Sequence, residues 1–600
     1  MKANRKAKIS FEEKLASNIK SDSKSFYAYV RSKQRNRVTV GPLSDVNGNI
    51  VEEDKQMSNM LNEYFVSVFT SEDLINIPEP KMEISSTENL RTVTINEEIV
   101  LMKLQKLSTD KSPGPDEIHP KLLHELRHEL CKPLTKLFNL SLETGQVPQD
   151  WRDAHVIPLF KKGRKDKCEN YRPISLTCII GKILESIVKD ELVNYLEKFD
   201  LIQESQHGFR HGRSCLTNLL DFLEYVTQLV DDGEPVDLVY LDFAKAFDKV
   251  PHHRLCLKLD SIGIKGEVLE WIKKWLSSRR QKVTIRNESS EWNQVNSGVP
   301  QGSVLGPILF LVYINDLEKG LISKINKFAD DTKLARAVGN KEEIKDLQND
   351  LNKLVTWSEV WQMQFNVNKC SVIHLGHSNL TNEYAMGNEK IKSVNVERDL
   401  GILIDNKLKF SQHCNKIVNQ ANSTLGLIKR TIKSRRKDIV MRLYKALVRP
   451  KLDYCAQIYH PYLKKDIKNI ERVQKRATKI VKECRNMSYE KRLKHLSILS
   501  LQHRRIRGDL IQVFKMLNGI DKLEFSHFFE FAKDNRLRGH KYKLQKKRCR
   551  LDVRQNFFSQ RIVDIWNNLS KNVVESQSLN AFKNNLDKEW HKLKLPTNEY

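Results

Sequence analysis

The chain has 600 residues, 40% hydrophobic and 30% charged, which is too long for one core and excludes a disordered chain. No run reaches the roughly 18 uninterrupted apolar residues of a membrane span, and the basic start MKANRKAKIS leads into no apolar stretch of a secretory signal. The ten cysteines are scattered, with no CxxC pair and no zinc spacing, so free thiols in a reducing compartment, cytosol or nucleus, are expected. The net charge of +27 is one-sided: residues 406–600 carry 46 Lys and Arg against 17 Asp and Glu, a net +29, whereas residues 1–405 carry 56 against 58, a net −2. Solvated helix faces would mix signs, so this excess favours a polyanionic partner, most simply nucleic acid.

In chain order, residues 1 to about 100 show short helical patterns and a turn at Asp45–Gly48. The polar stretch Pro78 to Thr94 reads as a linker. A helical pattern at 98–107 leads into KSPGPD (Lys111 to Asp116), where two prolines around a glycine force a turn. A helix is predicted over Pro120 to Leu142, ending at Gly145. From 151 to 405 strands and helices alternate. DLVYLDF (237–243) is a strand, with a helix after Lys245. Glu267 to Ser277 is an amphipathic helix, 282–298 a hairpin, and Val304 to Leu317 a buried helix. KFADDTKL (327–334) reads as two strands with Asp-Asp at the turn. Ile344, Leu347, Leu351, Leu354, Ser358 and Trp361 mark one face of a long helix. From about 406 the pattern is helical and basic: Ile467, Ile470, Val473, Ala477, Ile480 and Val481 form an apolar stripe, with Lys468, Arg472, Lys475, Arg476, Lys479 and Lys482 largely around it. Tyr444, Tyr454 and Trp566 are read there as core. The pattern as a whole is α+β.

The carboxylates carry the chemistry. Asp242 ends a strand, and Asp330 and Asp331 sit together at a hairpin tip, where adjacent acids are unfavourable unless neutralised. A lysine would neutralise them, and so would two Mg²⁺ ions, which prefer oxygen ligands and keep positions open for substrate phosphates. Two metals about 3.5–4 Å apart can activate a hydroxyl and stabilise a leaving group in an in-line displacement. Alone, FADD is equally a polar turn, and LDF…FD is weaker still.

Their company and order are decisive. NYRPISL (170–176), YLDFAKAFDKVPH (240–252), SGVPQGSVLGPILFLVYINDL (297–317) and FADDTKL (328–334) together resemble the reverse transcriptase domain of non-LTR retrotransposons, of the jockey and chicken-repeat type. KSPGPDEIHPKLL upstream looks like the same family, as do DLGILID (399–405), LYKALVRPKLDYC (443–455), NIERVQKRATK (469–479) and RLDVRQNFFSQR (550–561) downstream.

The resemblance implies a right-hand polymerase. The fingers would take about 110–235 with part of 250–300, an antiparallel palm sheet would hold the aspartates, and a helical thumb would start near 400. The expected division is 1–105 as an N-terminal linker and helical region, 106–405 as the reverse transcriptase domain, and 406–600 as the basic thumb and C-terminal region. The implied activity is RNA-directed DNA synthesis from dNTPs, with two Mg²⁺ ions that Mn²⁺ can replace. An RNA template and a DNA primer or nicked target would be the partners, with no membrane. Localisation would be nuclear and cytoplasmic, as a ribonucleoprotein.

Asp242, Asp330 and Asp331 would be catalytic and bind metal, with the backbone of Phe243 beside them. Phe247 matches the bulky position under the incoming sugar, where a ring would exclude a 2′-hydroxyl; the alternative is plain core. Gln301 and Gly302 resemble the loop that contacts nucleotide and template. Arg172, Lys161 and Lys162 lie where the family holds the triphosphate. Lys369 resembles the lysine that protonates pyrophosphate; a surface lysine is the alternative. The family's N-terminal endonuclease has no counterpart in the first hundred residues. The rivals are another palm polymerase, such as a maturase or a viral RNA polymerase, and a non-catalytic nucleic-acid binder.

Overall fold

The computed structural model describes residues 2–33, 40–80, 88–533 and 539–593, so residues 81–87 of the stretch read as a linker lie outside the described residues. The protein is a mixed α/β structure. Among the described residues no helix is long and apolar enough to cross a membrane.

The strand predicted around DLVYLDF runs Val236–Leu241 and is the middle of a five-stranded sheet. In order the sheet holds Lys392–Ser393, Ser371–Leu375, Val236–Leu241, Asp331–Ala337 and Lys324–Phe328. All its pairs are antiparallel except Ser371–Leu375 with Lys392–Ser393. Successive side chains of a strand point to opposite faces. Here both faces are covered, which is why the strand reads as an apolar run broken only by Asp237, whose buried carboxylate accepts from Tyr384 Oη (2.6 Å) and Asn379 Nδ2 (2.8 Å). Val236 and Leu238 enter one core, Val239 and Leu241 another.

The first core lies under the helix Cys215–Asp232, which a reciprocal Ser214–Thr217 capping box starts and a left-handed Gly233 (φ 100°) ends. Helices of the basic region, Ser411–Thr431, Lys464–Ile480, Leu501–Leu517 and Leu579–Glu589, share this core, and so do Leu15, Phe26 and Val30 of the first two helices and Ile19 of the turn between them. The second core holds the helices of 97–360 other than Cys215–Asp232. Within it the helix expected over Val304–Leu317 runs Gly306–Tyr313 and is followed by a 3-10 turn at Asn315–Glu318, while ahead of it the N–H groups of Val304 and Leu305 donate to the buried Glu185 carboxylate (2.7 and 3.4 Å).

A second sheet carries Tyr171–Thr177, Asp153–Phe160 and Arg279–Ile285, the last two parallel, with Asn293–Val295 on the far edge. Helix Asp54–Ser67 covers it through Met57, Leu61 and Phe65. All ten cysteines are free thiols.

Candidate active site in a basic cleft

The sheet register brings the carboxylates together. Thr332 pairs with Leu241, so one step further along the two strands Asp331 stands opposite Asp242. Asp330 is in the turn before that strand, preceded by Ala329 at φ 54°. A segment the sequence reading passed over, Ser205–Gly208, braces this turn. The buried Gln206 Oε1 accepts from Ala329 N (2.9 Å) and from Gly208 N (2.8 Å). His207 N donates to Lys327 O (2.9 Å) and Lys327 N to Ser205 O (2.8 Å). A Cβ on Gly208 would lie 2.5 Å from Ala329 N, so only glycine fits there.

Asp242 is held from the other side. Ala244 N donates to Gln364 O (2.8 Å) and Asn366 N to Asp242 O (2.7 Å), and the Phe243 ring stacks on Phe365 at 4.3 Å. The Phe243 side chain is therefore core, and only its backbone belongs to the site. The same loop delivers Lys369, whose Nζ donates to Asp242 Oδ2 at 3.0 Å. Lys369, half-exposed, is thus brought against Asp242.

The electrostatics follow. Burial raises the pKa of Asp330, with Asp242 adding to it and Arg172 and Lys161 opposing. Desolvation in the cleft, then the Asp330, Asp399 and Asp242 carboxylates, push Asp331 up to about 6, although Asp331 itself stays exposed to solvent. Burial, then the Arg172 and Lys369 cations, lower Lys161, against Asp242. Lys162 lines one cavity with Asp242, Asp331 and Lys369, of about 350 Å³. Beneath it a buried pair, Lys333 Nζ to Asp399 Oδ2 at 2.5 Å, ties the strand of Asp331 to the hairpin Val396–Asp405.

Among the described residues no three His, Cys, Asp or Glu side chains are gathered closely enough to hold a metal ion between them, and Asp242 pairs with Lys369 instead. The donor set still suits a hard cation. It is all oxygen, and the three carboxylates lie near enough to raise the pKa of Asp330 and Asp331.

The loop Val299–Gly302 closes the site beside the second sheet. Gly302 (φ 139°) is pressed so closely on Ser175 O that a Cβ would stand 2.2 Å from it. Gln301 O accepts from Ser175 N (2.9 Å) and its Nε2 donates to Asp248 Oδ1 (2.8 Å). Phe247 is half-buried, stacked on Phe310 at 4.5 Å, and lines a cavity with Gln301 and Asp248. It is both packed and presented. Asp248 and Lys245, which lies over the Tyr64 ring at 5.2 Å, were not singled out from the sequence; the LDF…FD spacing was the one hint of Asp248.

From Asp331 a cleft of about 780 Å³ opens towards helix Ser411–Thr431, lined by Lys161, Arg172, Arg398, Lys416 and Lys451. Tyr454 lines it too, 45% exposed and donating to Leu400 O, which corrects its reading as core; Tyr444 and Trp566 are fully buried as expected. On the neighbouring helix Lys464–Ile480 the stripe Ile467, Ile470, Val473 and Ala477 is buried. Lys465, Lys468, Arg472, Arg476 and Lys479 are exposed, with no ion-pair partner among the described residues.

Residues 160–416 match the profile of the family described as reverse transcriptase (RNA-dependent DNA polymerase). The chain is 25% identical over 479 residues to the RNA-directed DNA polymerase from mobile element jockey of Drosophila melanogaster, covering 76% of this chain and 52% of that one. It is 25% identical over 502 residues to the "Probable RNA-directed DNA polymerase from transposon BS" of the same fly, covering 79% and 55%. The resemblance carried by the ordered motifs is thereby borne out. The chain spans about half the length of the curated relatives it matches.

Proposed function

We propose that this chain, with its reverse transcriptase match over 160–416, is the RNA-directed DNA polymerase of a non-LTR retrotransposon, adding dNTPs to a primer 3′-hydroxyl on an RNA template. The observation that carries the reading is the meeting of Asp242 with the Asp330–Asp331 turn at the floor of a cleft walled by Lys161, Arg172, Arg398, Lys416 and Lys451. On this reading the central sheet is the palm, the second sheet with its helices the fingers, and the helices from about 406 the thumb. The product's place is nuclear and cytoplasmic, as a ribonucleoprotein.

Asp242 and Asp330, with Asp331 and the backbone of Phe243 beside them, would hold two Mg²⁺ ions. Bound there, the ions would acidify the 3′-hydroxyl and stabilise the charge of the departing pyrophosphate. The chain's own residues do the rest. Arg172, Lys161 and Lys162 neutralise the triphosphate. Lys369, freed from Asp242 when that carboxylate takes another partner, supplies a proton to the pyrophosphate oxygen. The Phe247 ring leaves no room for a 2′-hydroxyl. The primer oxygen attacks the α-phosphorus, one phosphodiester forms, and the bond to pyrophosphate breaks.

The test is primer extension on poly(rA)/oligo(dT) with Mg²⁺. Wild type should extend with dTTP and not with UTP, and Asp330→Ala with Asp331→Ala should fall by more than about 100-fold. A wild-type chain that binds the duplex yet extends nothing, with Mg²⁺ or Mn²⁺, leaves a nucleic-acid binder instead.

A further inference from the structure

Among the described residues Phe209 is the one exposed large hydrophobic side chain whose backbone is left-handed: it is 56% exposed, at φ 53°. A bulky L-residue rarely adopts that conformation, and an exposed ring gains nothing from burial, so neither feature stabilises the fold. Strain of this kind persists only where the surroundings over-determine it.

The surroundings do so here. Gln206 bridges Lys327 in parallel, so the segment Ser205–Gly208 runs alongside strand Lys324–Phe328 towards the same end of the sheet as Asp330. Gln206 Oε1 holds Gly208 N and Ala329 N together. On the far side of Phe209, Arg210 Nη1 donates to Gln203 O (2.8 Å), Arg213 Nη1 to Glu204 O (2.7 Å), and Lys522 N to Gly212 O (2.9 Å). The Arg210 and Arg213 side chains are largely buried, so they brace the loop rather than face a ligand. The chain is thus fixed before and after Phe209, and the ring between is left in solvent. Since Gly208 is pressed on Ala329 N, Phe209 and Asp330 lie at most about 13 Å apart, Cα to Cα.

We propose, resting on the polymerase reading for the identity of the partner, that Phe209 is a stacking platform for one unpaired nucleobase of the RNA template. An aromatic face stacks on any base, but a base inside a duplex has both faces covered, so the ring takes only an unpaired one. Beside the Asp330–Asp331 turn, where the primer end reacts, RNA behind that end is paired with product. RNA ahead of it, on the 5′ side, is not. The base is therefore one that awaits copying. Stacking reads no sequence, so the site steadies any template alike.

The experiment measures affinity by fluorescence anisotropy for three RNA–DNA duplexes: blunt, with an unpaired oligo(rA) tail on the RNA 5′ side, and with the same tail on its 3′ side. Wild type should bind the 5′-tailed duplex more tightly than the blunt one. Asn tolerates the left-handed backbone, so Phe209→Asn should melt no lower than wild type, yet lose about tenfold in affinity for the 5′-tailed duplex alone. Phe209→Trp should keep that affinity, and Phe209→Leu, apolar but without a π face, should not. A tail of abasic residues should weaken wild type as much as the Asn substitution does, and weaken the Asn variant no further. Equal losses on all three duplexes, a gain with the 3′ tail only, or full affinity in Phe209→Leu overturns the proposal. So does a Phe209→Asn chain that melts lower and keeps the tail-dependent affinity, since the ring then serves the fold. A wild-type chain that shows the 5′-tail effect yet extends no primer overturns the polymerase reading and leaves the stacking site standing; one that binds no duplex overturns both.

Discussion

Asp330 and Asp331 hold their protons more firmly than free aspartates, and the consequence is a stability that depends on pH and on divalent cations. Both pKa values lie above the ordinary 3.8, Asp331 at about 6. A carboxyl raised on folding binds more protons in the folded than in the unfolded state between its two pKa values. Stability therefore falls as pH rises from 3.8 through about 6, and the repulsion is present in full above that window. A divalent cation between these carboxylates removes the repulsion it encounters. Mg²⁺ should accordingly raise the melting temperature more at about pH 7.5 than at about pH 5.5, where Asp331 is largely protonated. Asp330→Ala with Asp331→Ala should abolish the difference. Equal shifts at both pH values, or a shift that survives in the double variant, would place the cation elsewhere.

At the scale of elements, helix Lys464–Ile480 joins an inner face that buries Ile467, Ile470, Val473 and Ala477 to an outer row at Lys465, Lys468, Arg472, Arg476 and Lys479. The row repeats every three or four residues, about one helical turn of 5.4 Å, so its cations line up along one face. It packs beside helix Ser411–Thr431, whose Lys416 lines the cleft. Replacing Lys468, Arg472 and Arg476 by Gln should weaken binding to RNA–DNA duplexes of any sequence alike. The slope of log K against log salt should shallow by roughly 0.7–0.9 for each phosphate no longer neutralised. An unchanged slope, read by fluorescence anisotropy, would make the row a solvated face after all.

This helix was legible because period and charge are local properties of a sequence. So were the aspartates, whose motif order is linear, and the strand Val236–Leu241, whose residues are adjacent. The brace on the Asp330–Asp331 turn was not, since Gln206 meets Ala329 across 123 residues. Neither were the Lys333–Asp399 pair, 66 residues apart, or the Asp248–Gln301 bond, 53 apart. Each depends on strand register or on a loop crossing between sheets, which side-chain chemistry alone does not announce.

Across the whole molecule the first eighty residues enter the first core and the core under the second sheet, and meet a helix of the second core. Helices Lys2–Ser17 and Ser23–Ser32 enter the core of the basic region, helix Asp54–Ser67 covers the second sheet, and Glu72 meets the buried Arg254 guanidinium at 3.2 Å. The first of these contacts spans the greatest chain distance. The buried Glu12 accepts from Lys433 N (2.8 Å), 421 residues on, and Glu13 from Ser434 Oγ (2.8 Å), while helix Lys2–Ser17 lies against helix Lys437–Leu443. Leu15, Ile19, Phe26 and Val30 go into the same core, each burial worth roughly 1.5–3 kcal/mol. Removing residues 1–33 should therefore loosen the basic region and leave the second core intact. Amide hydrogen exchange across 433–443 should speed up by about 100-fold or more, which corresponds to roughly 2.7 kcal/mol. Exchange in helix Glu97–Gln105, packed wholly in the second core, should not change. If instead protection at 433–443 persists in the shortened chain, the basic region holds its own core, and the N-terminal helices lie on it without supporting it.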